Sequence, residues 1–156
     1  MKFFLFYLCD SMKAKKHTLI IVICSLLILF SVSSCRKRKN TIVPYIPVNI
    51  YIYTSDPRFN TLNTPGGWVY LNGGSRGIIV YRRSNEEFIA YDRHCTYDVD
   101  NPCGQVEVSS TQITAVDSCC MSEFVLTDGS VVKNPATQPL QVYQVRFNGN
   151  ELHIFN

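Results

Sequence analysis

Residues 142–155 read VYQVRFNGNELHIF, and this stretch sets the fold class. Val145 and Phe147 stand two apart before Asn148-Gly149, and Leu152 and Ile154 stand two apart after it. An Asn-Gly pair between alternating apolar residues is the strongest short-range hairpin signal. A two-residue loop there places Val145 opposite Leu152 and Arg146 opposite Glu151, a favourable cross-strand charge pair. The same alternation recurs upstream. Ile46, Val48, Ile50 and Ile52 occupy every second position, as on an amphipathic strand. Trp68-Val69-Tyr70-Leu71 and Ile78-Ile79-Val80-Tyr81 are apolar runs bounded by glycines, and Phe88-Ile89-Ala90-Tyr91 is a third run. Val106 with Val108 and Ile113 with Ala115 flank Ser109-Ser110-Thr111-Gln112, a second hairpin pattern. Beyond residue 44 no stretch carries a 3.6-residue apolar period. About ten short strands separated by turn residues imply an all-β sandwich or barrel-like domain with no helix longer than two turns. The expected core is Trp68, Ile78, Val80, Phe88, Ala90, Phe124, Leu140, Val142 and Val145.

The chain has 156 residues, 46% of them hydrophobic and 17% charged, with a net charge of +3. That suits one folded domain and excludes a disordered chain. The positive charge is confined to one end. Eight basic residues and one acid precede residue 40, whereas residues 40–156 carry seven basic and eleven acidic side chains, a net charge of −4. A mildly acidic domain is a poor surface for nucleic acid, so none is expected as a partner.

The basic end is a targeting segment. Lys13, Lys15, Lys16 and His17 precede TLIIVICSLLILFSV, residues 18–32, which carries no charge. A basic region, a short apolar region and small residues before a cut define a secretory signal peptide. A permanent span needs ~20 apolar residues. Val32-Ser33-Ser34-Cys35 resembles the bacterial lipobox, which implies cleavage before Cys35 and lipidation of its thiol. Met12 is the better initiator, because it places MKAKKH directly before the apolar region. The expected organisation is therefore a signal peptide over 1–34, a lipidated Cys35 with a basic tether over 35–43, and a β domain over 44–156. The tether reaches roughly 16 Å as a flexible coil. Its Arg36-Lys37-Arg38-Lys39 run suits anionic headgroups. Arg36 instead of Asp after the lipidated cysteine resembles an outer-membrane address.

Four cysteines remain in the mature domain: Cys95, Cys103, Cys119 and Cys120. An even count in an oxidising compartment favours two disulfides. Adjacent Cys119 and Cys120 do not bond each other without strain, which leaves two pairings. Cys95, Asp117, Cys120 and His94 are chemically competent zinc ligands. However, His94 and Cys95 are neighbours that point to opposite faces of a strand, and no C-x-x-C or H-x-x-x-H spacing is present. No metal is expected on this reading. Neither His94 nor His153 has a recognisable partner for nucleophilic catalysis, and the glycine-rich stretch 73–77 leads into a strand, unlike a phosphate-binding loop.

Cys95-Thr96-Tyr97, followed by Asp117-Ser118-Cys119-Cys120-Met121-Ser122-Glu123-Phe124, resembles the two cluster loops of Rieske-type iron–sulfur domains, C-T-H and C-P-C-H-G-S-x-F. Asp128-Gly129, Val131-Val132, Pro135-Ala136, Pro139-Leu140, Tyr143 and Val145 continue that family's rhythm, with Asn134 where Gly is usual. The resemblance spans roughly residues 65–156. It implies a small antiparallel β sandwich with two loops meeting at one tip. A Rieske centre has two Cys on one iron and two His on the other. Of those positions Cys95 is kept, Tyr97 and Cys120 replace the histidines, and Asp117 replaces the second Cys. The resemblance therefore implies a domain without cofactor, with a [2Fe–2S] cluster as the alternative. It also implies a Cys103–Cys119 disulfide in the place of the family's own and a second bridge, Cys95–Cys120, across the old cluster site. Cys95–Cys119 with Cys103–Cys120 is the competing pattern, because an insertion before Cys103 blurs the register.

The expected function is that of a membrane-anchored envelope lipoprotein, not an enzyme. Its domain is expected to serve as a binding or structural module for an envelope protein partner. The alternative is a periplasmic electron carrier using a [2Fe–2S] cluster or a redox-active disulfide.

Overall fold

In the computed structural model, which describes residues 41–156, ten strands follow one another along the chain. They are β1 (Asn49–Tyr53), β2 (Trp68–Leu71), β3 (Ile78–Arg82), β4 (Phe88–Asp92), β5 (Val106–Val108), β6 (Thr114–Asp117), β7 (Glu123–Val125), β8 (Val131–Lys133), β9 (Val142–Phe147) and β10 (Glu151–Phe155). One sheet has the order β1-β10-β9-β4-β3-β2 and the other β5-β6-β7-β8. Every pairing in them is antiparallel. The helical segment among the described residues is a 3-10 run, Pro57–Asn63, interrupted at Phe59. The expected signal peptide, the expected start at Met12 and the expected lipidation of Cys35, with most of the tether, fall outside the described residues.

The apolar run of β3 has a simple cause: the strand is covered on both faces. Ile78 and Val80 join Val48, Ile52, Leu62, Ala90, Leu152 and Ile154 in one core. Ile79 and Tyr81 join Tyr91, Phe124, Leu126 and Leu140 in a second. A strand buried on both sides cannot alternate in polarity. β10 is covered on one side and does alternate, with Leu152 and Ile154 fully buried and His153 half-buried between them.

Eight of the nine expected core residues are buried or packed against a core, but Val142 is not. It is 45% exposed. Alternation along β9 explains this, because Tyr143 and Val145 take the inner face and leave Val142 beside the exposed Gln144 and Arg146. Val142→Thr should therefore shift stability by no more than ~0.5 kcal/mol. Leu152→Ala should cost ~2–5 kcal/mol. Equilibrium denaturation of the two variants checks this contrast.

The hairpin register also differs from expectation. Phe147 pairs with Leu152, Arg146 with His153 and Val145 with Ile154, while Glu151 faces Tyr53 of β1. The Asn148 side chain decides it. Its Oδ1 accepts the backbone N–H groups of Asn150 at 3.3 Å and Glu151 at 2.9 Å, and its own N–H donates to the Glu151 carbonyl. These bonds leave three residues, 148–150, between β9 and β10, with Gly149 at φ +100°. A slip of two residues keeps every side chain on its face, so the core is unaffected. Ile46 lies outside β1 and is exposed, since neighbouring Pro47 has no N–H for a ladder.

Candidate metal centre

The last residue of β4 organises the approach to the site. Asp92 is fully buried and its carboxylate accepts four hydrogen bonds. The donors are Ser75 N at 2.6 Å, Arg76 N at 3.2 Å, His94 N at 2.8 Å and the Tyr143 hydroxyl at 2.6 Å. Gly74 adopts φ +62° beside it, where a Cβ would strike the Tyr143 hydroxyl and lie 2.6 Å from Asp92 Oδ2. His94 is committed to the same scaffold. Its Nε2 lies 2.8 Å from the Val99 carbonyl and must carry the proton, so Nδ1 accepts from Ser75 Oγ at 2.8 Å. Burial pulls the imidazole below its ordinary range. Both ring nitrogens are therefore occupied, and His94 is no metal ligand.

Two loops meet beyond this scaffold. The loop from β4 to β5 carries Cys95, whose N–H donates to Gly104 O at 3.0 Å. Arg76 Nη2 donates to Asn101 O at 2.6 Å and holds the middle of the loop. The loop from β6 to β7 is closed by Asp117 N donating to Ser122 O at 3.0 Å and Met121 N to Asp117 O at 2.7 Å. A Cys103–Cys119 disulfide joins the two loops, with Cα atoms 5.9 Å apart. The loop from β8 to β9 braces both: Ala136 N donates to Ser122 Oγ at 2.9 Å, and Thr96 Oγ1 donates to Gln138 O at 2.6 Å.

The expected second bridge is absent. Cys95 and Cys120 are free thiols with their sulfurs 3.6 Å apart. The pinned loops bring the two side chains into van der Waals contact, short of a bond. Asp117 completes a cluster, with one donor atom from each of Cys95, Asp117 and Cys120 all within 4.8 Å of one another. Asp117 Oδ1 caps the turn by accepting Cys119 N at 2.7 Å. Its Oδ2 is buried with no hydrogen-bond partner. Burial first, then the Asp117 carboxylate beside it, push the Cys95 thiol well above its ordinary range. Cys120 is half-buried and donates to Ser122 Oγ at 3.1 Å. Tyr97, the fourth former ligand position, packs against the β3–β7 core and is not part of the donor cluster. Sequence reasoning missed the Asp92 network and the brace through Ser122. Ser122 lay within a quoted motif, whereas nothing local marked Asp92.

Fold and site together define a Rieske-like β domain. Its likeness to a solved structure extends to the plasma-membrane Rieske protein of the cyanobacterium Synechocystis PCC 6803, at 25% identity and a TM-score of 0.50, over 69% of this chain and 97% of that one. The ferredoxin of carbazole 1,9a-dioxygenase from Nocardioides aromaticivorans IC177 matches at 14% identity and a TM-score of 0.45, over 70% of this chain and 97% of that one. A complex of reduced oxygenase and oxidized ferredoxin in carbazole 1,9a-dioxygenase matches at 21% and 0.46, over 68% and 93%. No family model matches the sequence, and no curated protein matches it.

These findings correct the expectation of a domain without cofactor. Rieske centres are [2Fe–2S] clusters, and the domain that resembles their carriers gathers two thiols and a carboxylate at one point. The His-ligated Rieske centre itself does not fit. Tyr97 and Cys120 stand at the histidine positions, His94 is fully hydrogen-bonded, and His153 lies on β10 bonded to Asn49 Oδ1. The donors that lie together are two thiols and one carboxylate, with no imidazole among them.

Proposed function

We propose that this chain is a lipoprotein of the bacterial cell envelope, held at the membrane through Cys35, whose Rieske-like domain carries electrons through a thiolate-bound metal centre. The observation that carries this reading is the convergence of Cys95, Asp117 and Cys120 where two disulfide-linked loops meet. The partner is an envelope protein that exchanges electrons with it and docks over the exposed rim of Ser118, Cys119 and Met121. Catalysis is not part of the role. The test is the full chain purified in mild detergent without oxygen and titrated with a one-electron reductant. A reversible change in visible absorption or electron paramagnetic resonance is expected, lost in Cys120→Ser. A redox-silent chain overturns the reading.

A second reading rests on the 3.6 Å between the two free sulfurs. Cys95 and Cys120 then act as a dithiol that closes to a disulfide by passing two electrons and two protons to an oxidised partner. A metal-free chain with two thiols that oxidise reversibly, without unfolding, favours this reading over the first.

The address is tested separately. Cys35→Ser should move the protein from the membrane fraction, which is expected to be the outer membrane, into the soluble fraction or leave it as the longer precursor. Unchanged fractionation removes the lipid anchor from the proposal. Among the described residues no helix is long and apolar enough to cross a membrane.

A further inference from the structure

We propose that Cys95, Asp117 and Cys120 hold one tetrahedral, thiophilic divalent cation of the Fe²⁺ or Zn²⁺ class, not a binuclear cluster, with the fourth position open on the Cys120 side. The inference deepens the metal-centre reading above and rests on it. Its first support is the sulfur separation. Two thiolates bound to one tetrahedral ion at about 2.3 Å lie about 3.8 Å apart. Cys95 Sγ and Cys120 Sγ are 3.6 Å apart. Sulfurs bound to two different irons stand further apart, because both metals and their bridging sulfides lie between them. The resemblance assigns Cys95 and Cys120 to different irons of a Rieske cluster, and the observed contact contradicts that assignment.

The loops are also tied against spreading. Cys119, next to Cys120, is bonded to Cys103. Cys95 N is held to Gly104 O, Thr96 to Gln138 and Ser122 to Ala136. These ties hold Cys95 and Cys120 at the separation that one shared ion requires.

The third support is the carboxylate. Asp117 is fully buried, Oδ1 is used by the turn, and Oδ2 has no partner. A buried polar atom left unpaired is costly, and a cation beside the two sulfurs satisfies it. Charge is balanced from the other side. The two groups flank Gly104: a Cβ there would be in ordinary contact with each, 3.4 Å from Arg76 Nη1 and 3.6 Å from Asp117 Oδ2. Arg76 Nη1 is itself buried without a hydrogen bond. The guanidinium therefore sits on the Asp117 side of the donor set, where it balances the charge that a metal-bound set of two thiolates and a carboxylate would carry. The Ser122 hydroxyl, 3.1 Å from Cys120 Sγ, is placed to donate to the thiolate and orient it. Two sulfur donors select Zn²⁺ and Fe²⁺ over Mg²⁺ and Ca²⁺. Cys120 is the more exposed of the two cysteines, which puts the open position on its side.

The test uses the full chain in detergent, freed of metal by chelation with its Cys103–Cys119 bond left intact, and Co²⁺ as the probe. One Co²⁺ per chain is expected, with intense tetrahedral visible bands and thiolate-to-cobalt charge-transfer absorption. Cys120→Ser should remove about half of the charge-transfer absorption, and Asp117→Asn should keep it. Each variant should weaken Co²⁺ binding at least ~10-fold. Metal analysis of the chain as isolated separates this inference from the reading beneath it. One iron without labile sulfide supports both. One zinc supports the single-ion site and overturns electron transfer by the metal. Two irons with two sulfides overturn the single ion and keep the electron carrier. A chain with two free thiols that takes up no cobalt and contains no metal overturns both.

Discussion

Replacing Asp92 with alanine should lower the unfolding free energy by on the order of 4 kcal/mol, most of the margin of a domain with roughly 5–15 kcal/mol in total. The size follows from what the carboxylate does. It is fully buried and accepts from Ser75 N, Arg76 N, His94 N and the Tyr143 hydroxyl. Truncation leaves those four donors without an acceptor where little water can replace it. Hydrogen bonds to a charged group contribute ~1.5–3 kcal/mol each, and the losses overlap. Tyr143→Phe removes one donor and keeps the acceptor, so it should cost about 2 kcal/mol. Urea titrations of the parent and both variants measure the difference. An Asp92→Ala protein no less stable than Tyr143→Phe would show that the other three donors do not depend on the Asp92 carboxylate. Because His94 N is one of the four donors and Cys95 is the next residue, the Asp92→Ala chain should also bind metal more weakly at temperatures where it stays folded.

Removing the Cys103–Cys119 bond is the second large change. The bond closes a loop with a sequence separation of 16, and in the chain-entropy model such a loop stabilises by ~3 kcal/mol. Cys103→Ala combined with Cys119→Ala should therefore lose about that amount, read as a lower denaturation midpoint with a steeper slope, because the unlinked denatured chain exposes more surface. The enclosed loop also contains β5, β6 and Gly104, whose carbonyl holds Cys95 N. With the tie gone, Cys120 is no longer anchored through its neighbour. Cobalt affinity should fall, although both free thiols remain. A double variant with parental stability would mean that the hydrogen bonds of Asn101, Gly104 and Gln105 close this loop by themselves.

Most strands were legible because their cause is local. Alternation in β10, the glycine-bounded run of β3 and the aromatic start of β2 all follow from the two-residue period and from turn residues at their ends. Val142 and Val145 are both expected inside from their apolarity, but residues three apart on a strand face opposite ways, so only Val145 turns inward. The hairpin register was missed because a single side chain, Asn148, chose the loop length. The site was half-legible. Cys95, Asp117 and Cys120 were recognised as competent ligands and set aside for want of a compact spacing motif. Asp92 carried no such mark, since a carboxylate at a strand end reads as solvent-facing until the donors around it are known.

By itself, the sequence determined the all-β class and the positions of most strands, and its resemblance to Rieske domains implied the Cys103–Cys119 pairing that the structure shows. These are settled by neighbours a few residues apart or by motifs that survive as text. Tertiary structure alone decided that Cys95 and Cys120 remain thiols 3.6 Å apart, with the unpartnered oxygen of Asp117 beside them. Cys95 and Cys120 lie 25 positions apart, on loops set by the β3–β4 and β6–β7 registers and by the braces from Ser122 and Thr96. A contact shorter than 4 Å between such side chains depends on all of those long-range contacts together, and no local pattern encodes it.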